Sequence, residues 1–535
     1  MKTNKMFRLF VLLSASLSLG LSVFGQEPVH EAQGMRAPVS KEAVEKKAPT
    51  PLSLRVAEAF QAGRNIHDLG DPTAELAAVN EEANGRRNEP GPPRVAVVRT
   101  VGAMFGPDSF IKTEAPADGV TDTPRQLWTM ALRSPEAFAL RLHFVNFDVG
   151  AGAVIIYARH GNELTTLGPF TDKGPQRNGD FWTALLPGDM ALIEVSGVTD
   201  PRLEICEVMH FDQDPANGLQ RANGKQQAVA AAELGCHLDV MCENVNPVAR
   251  DATALLNYQV GNQGKVCTGT LLNDLDGETV VPYLLTANHC EISNANINSL
   301  MVTFLFQRNS CGAALPATTP SLTAGGVVLE THGDNDMKFI RLNGAAPAGV
   351  TLAGWSTRRP SDGSYGIHHP GGAFKRVTFF DPSSYVFCTY TYDPDYWVME
   401  ARRGAIEGGS SGSGLYNPSG QLIGQLRGRC GPGTDEDGGN CSTDDGWRAV
   451  YGKFSVTHGI IRRWLEIGGT INVNRFHRGA ELGTPSRPYR TVTVGYNLAW
   501  DNTRLKIKAG SYNEAVTFSK PMTILADGGP VTIGR

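Results

Sequence analysis

Nine cysteines punctuate this 535-residue chain, and eight of them fall between Cys236 and Cys441. Cysteines crowded that way read as disulfide staples, which form and persist in oxidising compartments. The ninth, Cys206, stands apart. The N-terminus agrees on the compartment. Lys2, Lys5 and Arg8 precede an apolar run from Phe10 to Phe24, and Gly25 closes a small-residue stretch. That is the order of a signal peptide. Ser14, Ser16, Ser18 and Ser22 interrupt the run, which is too short to span a bilayer comfortably. The chain is therefore expected to be secreted, extracellular or periplasmic, without a membrane span. Its 49 basic and 54 acidic residues leave a formal charge of −5, which argues against nucleic acid or an anionic membrane as partner.

The length exceeds what one core usually organises, and 60 glycines with 32 prolines imply many turns. A mainly β chain of several units is predicted. Residues 1–25 are the signal peptide, and 26–93 a flexible N-terminal region with a helix near 52–62. From 94 to 214 short β-like runs (94–101, 139–148, 153–158, 191–196) alternate with turns and predict a β-sandwich. Residues 215–233 form a polar seam suited to proteolytic processing, with Lys225 a candidate cut. Residues 234–467 form the cysteine-bearing, strand-rich domain, ending in a helix over 457–467. After a linker at 468–479, residues 480–535 carry short runs (504–508, 515–518, 522–526, 531–533) resembling one coil of a parallel β-helix.

Three motifs in the cysteine-bearing domain carry chemistry. An apolar strand from Tyr283 ends in Thr286-Ala287-Asn288-His289-Cys290, and a Cys267–Cys290 bridge would pin the imidazole of His289. Asp336 stands just before an alternating strand, with Asp334 as its competitor. In Glu407-Gly408-Gly409-Ser410-Ser411-Gly412-Ser413, glycines around Ser411 permit a sharp turn, and the N–H groups of Gly409 and Ser411 would face a developing oxyanion. Each motif has a bland reading: a structural cysteine neighbour, a turn aspartate, a flexible Gly/Ser loop. Together, in the order His, Asp, Ser, they match the trypsin arrangement and not that of subtilisins or α/β-hydrolases.

The domain resembles the lysyl endopeptidase family of secreted bacterial trypsin-fold proteases. The matching stretches are Gly235–Cys242, Thr286–Cys290, Gly366-Ile367-His368-His369-Pro370-Gly371-Gly372 and Gly408–Ser413. Less specifically, 94–214 looks like the family's propeptide, through Gly179–Trp182 and Pro187–Asp189. The resemblance implies a two-barrel trypsin-like protease domain, so the expected architecture is mainly β, with a β-sandwich-like propeptide domain before the protease and the short β-helix-like segment after it. It implies a zymogen that hydrolyses protein or peptide substrates through His289, Asp336 and Ser411. It also implies that Cys236 opens the mature enzyme, and bridges Cys242–Cys311 and Cys267–Cys290. Cys236 would pair with Cys441 or Cys430; the Cys441 choice leaves Cys388–Cys430.

One departure bears on specificity. Lysine-cleaving members carry an aspartate two residues before the tyrosine that matches Tyr451; this chain has Ala449. It also has Arg427 where the family has a histidine. Small, apolar or acidic side chains before the cut become the alternative to lysine. Asp444 and Asp445 lie nearby at the wrong spacing. His368 and His369 are read as a structural turn, because adjacent strand residues point to opposite faces and no cysteine or acid partner sits at ligand spacing. No metal or organic cofactor is expected for the chemistry. A different class of reading makes the protease fold a scaffold for surface adhesion or glycan contact through the flanking β-units; a triad with a missing member would favour it.

Overall fold

The computed structural model describes residues 29–37, 49–55, 65–85, 91–115, 125–214, 219–222, 225–228, 236–276, 279–316, 319–383, 394–430 and 447–534. The fold is mainly β, as the turn-rich sequence implies. Two barrels make up the cysteine-bearing domain. In the first, antiparallel strands run in the order Ser321–Leu322, Met301–Phe304, Thr253–Val260, Gln263–Leu272, Tyr283–Ala287, Met337–Leu342 and Gly326–His332. Leu256, Leu271, Leu284, Val302 and Ile340 are among the side chains that fill it. In the second, Leu422–Cys430, Gly414–Tyr416, Ser364–His368, Arg376–Pro382, Tyr396–Arg403 and Arg448–Lys453 pair in turn. The last pairs back onto the first, so the sheet closes. Closure removes the exposed edges that open sheets carry. The helix Phe454–Ile467 follows and buries Phe454, Ile461 and Leu465.

The described residues of 94–214 form two sheets that enclose Phe105, Trp128, Leu142, Phe144, Ile156 and Ile193, a sandwich. It is not a separate bead. Its strand Arg94–Phe105 pairs antiparallel with Gln263–Leu272 of the first barrel, in the register Gln263 with Val97 and Gly264 with Ala96. Buried Arg141 crosses the same seam. Its Nη1 donates to Asn257 Oδ1 (3.1 Å) and to the Ser299 carbonyl (2.9 Å). Burial lowers its pKa to about 9.

The N-terminal region departs from expectation. Glu31–Ala32 pairs with Trp355–Ser356, and Met35–Arg36 with Thr351–Leu352, so residues 29–37 form a strap on the protease domain. Ala32 lies in its core, and the His30 ring stacks on His458 at 4.8 Å. Between them, Gly34 passes so close that an added Cβ would meet Val248 Cγ1 at 2.6 Å. Of the helix expected near 52–62, Leu52–Arg55 form a 3-10 turn and 56–62 lie outside the described residues; a helix not foreseen runs over Thr73–Gly85. Asp71 starts the helix by accepting from the N–H of Thr73 (2.8 Å), a capping signal that an apolar count passes over.

The C-terminal unit is a three-stranded parallel sheet, Thr470–Val473, Thr503–Tyr512 and Met522–Ile533. Its first strand lies inside the stretch read as a linker, because Ile471 and Val473 join Leu505 and Ile507 in a small core. Residues 515–518 are not a strand. The signal peptide lies outside the described residues. Of the processing seam, 219–222 and 225–228 form a hairpin in which Lys225 opens the second strand.

Candidate active site

His289 belongs to a 3-10 turn, Asn288–Cys290, at the end of the Tyr283–Ala287 strand. The Cys267–Cys290 bridge fastens this turn to the neighbouring strand, and Cys242–Cys311 is also formed. Cys236 and Cys430 are each disulfide-bonded; Cys388 and Cys441 lie outside the described residues.

Asp336 closes the turn between two strands of the same barrel, in a left-handed conformation with φ of +54°. Its Oδ2 lies 2.6 Å from His289 Nδ1, and its Oδ1 accepts from the His289 N–H at 2.9 Å. A carboxylate gripped at both oxygens fixes the ring and keeps the proton on Nδ1, which turns Nε2 outward as an acceptor. That Nε2 lies 2.8 Å from Ser411 Oγ. Asp334 is largely exposed, 3.9 Å from His332, and takes no part.

Asn335, absent from the sequence reading, anchors the aspartate's turn. It is fully buried. Its Nδ2 donates to Thr457 Oγ1 (2.9 Å) and its carbonyl accepts from Gln425 Nε2 (2.8 Å). The first barrel's acid is thereby tied to the second barrel and to the C-terminal helix. Only the Asp-Asn-Asp triplet hinted at this in sequence.

Ser411 is held by its backbone. Its carbonyl accepts from the Thr268 N–H (2.8 Å), while Thr268 Oγ1 donates to the Gly409 carbonyl (2.8 Å). Gly409 and Gly412 have φ of +90° and +80°. A Cβ on Gly412 would meet Thr286 Oγ1 at 2.2 Å, so the sharp turn depends on glycine. Among the described residues the N–H groups of Gly409 and Ser411 meet no acceptor, as expected of donors reserved for a ligand oxygen. Beneath the loop, Ser410 Oγ lies 2.9 Å from His368 Nδ1, and His368 Nε2 lies 3.0 Å from Thr378 Oγ1. Burial drives the pKa of His368 well below the ordinary value and that of His369 down to about 3. Both are neutral props of the turn. His237 reaches the same loop, its Nε2 3.1 Å from Glu407.

Arg427 stands beside the triad, its Nη1 3.9 Å from Asp336 Oδ2. Ala449 is buried among Phe380, Met399, Leu426, Trp447 and Tyr451. Asp444 and Asp445 lie outside the described residues. The trio of metal-capable groups found among the described residues, His143, Cys206 and Glu207, belongs to the sandwich and not to this site.

Two β-barrels with a Ser–His–Asp chain, and with two backbone donors beside the serine, define a trypsin-type fold. Residues 231–444 match the lysyl endopeptidase C-terminal domain, the family that the motifs in this part of the chain resemble. The lysyl endopeptidase of Pseudomonas aeruginosa is 27% identical over 308 residues, covering 54% of this chain and 64% of that protein, just under two thirds of its length. Among solved structures, an HtrA-type protease, AlgW with a tripeptide, is 18% identical, with a TM-score of 0.28 over 42% of this chain and 63% of the other. A serine endoprotease from Yersinia pestis is 13% identical, with a TM-score of 0.28 over 42% of this chain and 69% of the other.

Proposed function

We propose that this protein is a secreted serine endopeptidase made as a zymogen. The observation that carries the reading is His289 bridging Asp336 and Ser411 at 2.6 and 2.8 Å. Ser411 Oγ attacks a peptide carbonyl while His289 Nε2 takes its proton. The oxyanion settles on the N–H groups of Gly409 and Ser411. The imidazolium, paired with Asp336, then protonates the departing amine, and water hydrolyses the acyl-enzyme by the reverse proton traffic. This chemistry uses only the chain's own side chains. Every element the triad needs is in register, which speaks against a scaffold that has lost its chemistry. No helix among the described residues is long and apolar enough to cross a membrane.

The zymogen part rests on the sandwich's leading segment. The Pro93 carbonyl accepts from Val266 N–H (3.2 Å), two residues along the strand from Thr268, which holds Ser411. The Pro93 ring lies against Gly408, 3.3 Å from where a Cβ would stand. Residues 91–93 thus run past the nucleophile's loop, where they would compete with a peptide substrate. Pro92 and Pro93 suit that place, because a proline lacks the N–H that a paired substrate strand offers.

The test is labelling of the processed protein with a fluorophosphonate probe, beside Ser411→Ala. Labelling that vanishes in the variant is expected. A folded, processed wild type that takes up no probe would defeat the reading. The unprocessed chain is expected to label at least ~10-fold more slowly, as the prosegment lowers the competent fraction.

A further inference from the structure

Beside the satisfied triad lies a set of buried donors with nothing to bind. The strand Leu422–Cys430 backs the nucleophile: Leu426 accepts from the Gly412 N–H and donates to the Ser413 carbonyl, both at 2.8 Å. Three residues further along, Arg429 faces Ala449 across the ladder. Its guanidinium lies 4.4 Å from the centre of the Trp447 ring. Nε and Nη2 of Arg429 and Nε1 of Trp447 are all buried, and among the described residues none has a hydrogen-bond partner. Burial lowers the arginine's pKa, with the charge of Glu407 opposing the shift. Glu407 makes no hydrogen bond to these donors; its Oε1 lies 3.1 Å from His237 Nε2.

These atoms are all donors and one group is cationic; Arg429 lies on the strand whose Leu426 holds Gly412 and Ser413, and Trp447 stands just before the strand Arg448–Lys453 that pairs with it. Unpaired buried donors are costly to leave unmade, so this set favours an anionic acceptor. A lysine ammonium would meet a guanidinium there, and Ala449 offers it no counter-charge. We infer that Arg429 and the Trp447 indole N–H form a carboxylate pocket, selecting aspartate or glutamate as the residue whose carbonyl Ser411 attacks. This rests on the endopeptidase reading above and names its substrate class. The carboxylate spans the guanidinium fork and the indole donor while its backbone carbonyl reaches Gly409 and Ser411. A fixed fork suits such two-oxygen recognition better than a lysine would.

The experiment pairs probe labelling with cleavage of matched peptides differing only at that residue: Glu, Gln, Lys and Leu. Processed wild type is expected to cut after Glu at least ~100-fold better than after Gln, because the amide brings no charge to the buried guanidinium. Arg429→Ala is expected to lose this discrimination, its kcat/KM for the Glu peptide falling to that for the Gln peptide. A labelled enzyme that cuts after Lys or Leu, or treats Glu and Gln alike, overturns the pocket and leaves the serine chemistry standing. An unlabelled, folded enzyme overturns both. Should Arg429→Ala not fold, the wild-type Glu against Gln ratio decides alone.

Discussion

The triad and the pocket beside it are two polar clusters on neighbouring strands with opposite bookkeeping. In the triad, both Asp336 oxygens, both His289 nitrogens and the Ser411 hydroxyl have partners at 2.6 to 2.9 Å. In the pocket, two nitrogens of Arg429 and one of Trp447 have none among the described residues. A satisfied network is held still before substrate arrives, which suits catalytic groups whose geometry must not relax during reaction. A set of orphan donors is raised in free energy until something fills it, which suits selection.

The comparison can be broken in stages. Removing the satisfied cluster's centre should cost most: His289→Ala should lower kcat by about 10⁶-fold, leaving only what the oxyanion donors and binding supply. Asp336→Asn keeps the shape but frees the ring's tautomer. A loss of about 10⁴-fold in kcat is expected, measured on the processed enzyme with KM little changed. Asn335→Ala is a positioning change. It should lower kcat by roughly 100-fold through a loosened turn. A rate equal to wild type would show that the Gln425 and Thr457 contacts do not orient Asp336.

The smallest expected effect lies in the sandwich, where the imidazole of His143 sits 3.2 Å from Glu207 and 3.0 Å from Asp180. Burial works against its charge, but the two carboxylates outweigh burial and raise its pKa. A raised folded pKa gives stability that is full below the unfolded value, near 6.5, and is lost as pH rises through the folded value. Glu207 also accepts from Gln259 of the first barrel (3.1 Å), so the seam should share in the loss. The unprocessed chain should melt about 2–4 °C lower at pH 8.5 than at pH 6, and His143→Gln should flatten that difference.

Much of this was legible in sequence, and the exceptions share a cause. His289, Asp336 and Ser411 each sit in a short motif whose meaning is local. The sandwich strands and the closing helix follow from runs of alternating or periodic apolar residues. The strap at 29–37 was not legible, because two-residue strands with one buried alanine carry no period; their partners lie more than 300 residues away. The place of Arg429 was not legible for a related reason. The register slips between Leu426 and Gly428; without that bulge, which spacing does not reveal, Gly428 would face Ala449. The linker at 468–479 failed because Ile471 and Val473 find their core only against strands at 503–512 and 522–533.

The strand Arg94–Phe105 has a consequence for timing. It is hydrogen-bonded on one side to Leu203–Phe211 of the sandwich and on the other to Gln263–Leu272 of the first barrel. A cut in 215–233 would sever the chain and leave that ladder whole. The first cleavage would then yield a tight one-to-one complex rather than a free enzyme. The appearance of activity would follow the slower event, peeling or digestion of the strand, and would lag behind the band shift that marks the cut. In a secreted zymogen such a lag would separate the moment of export from the moment of attack.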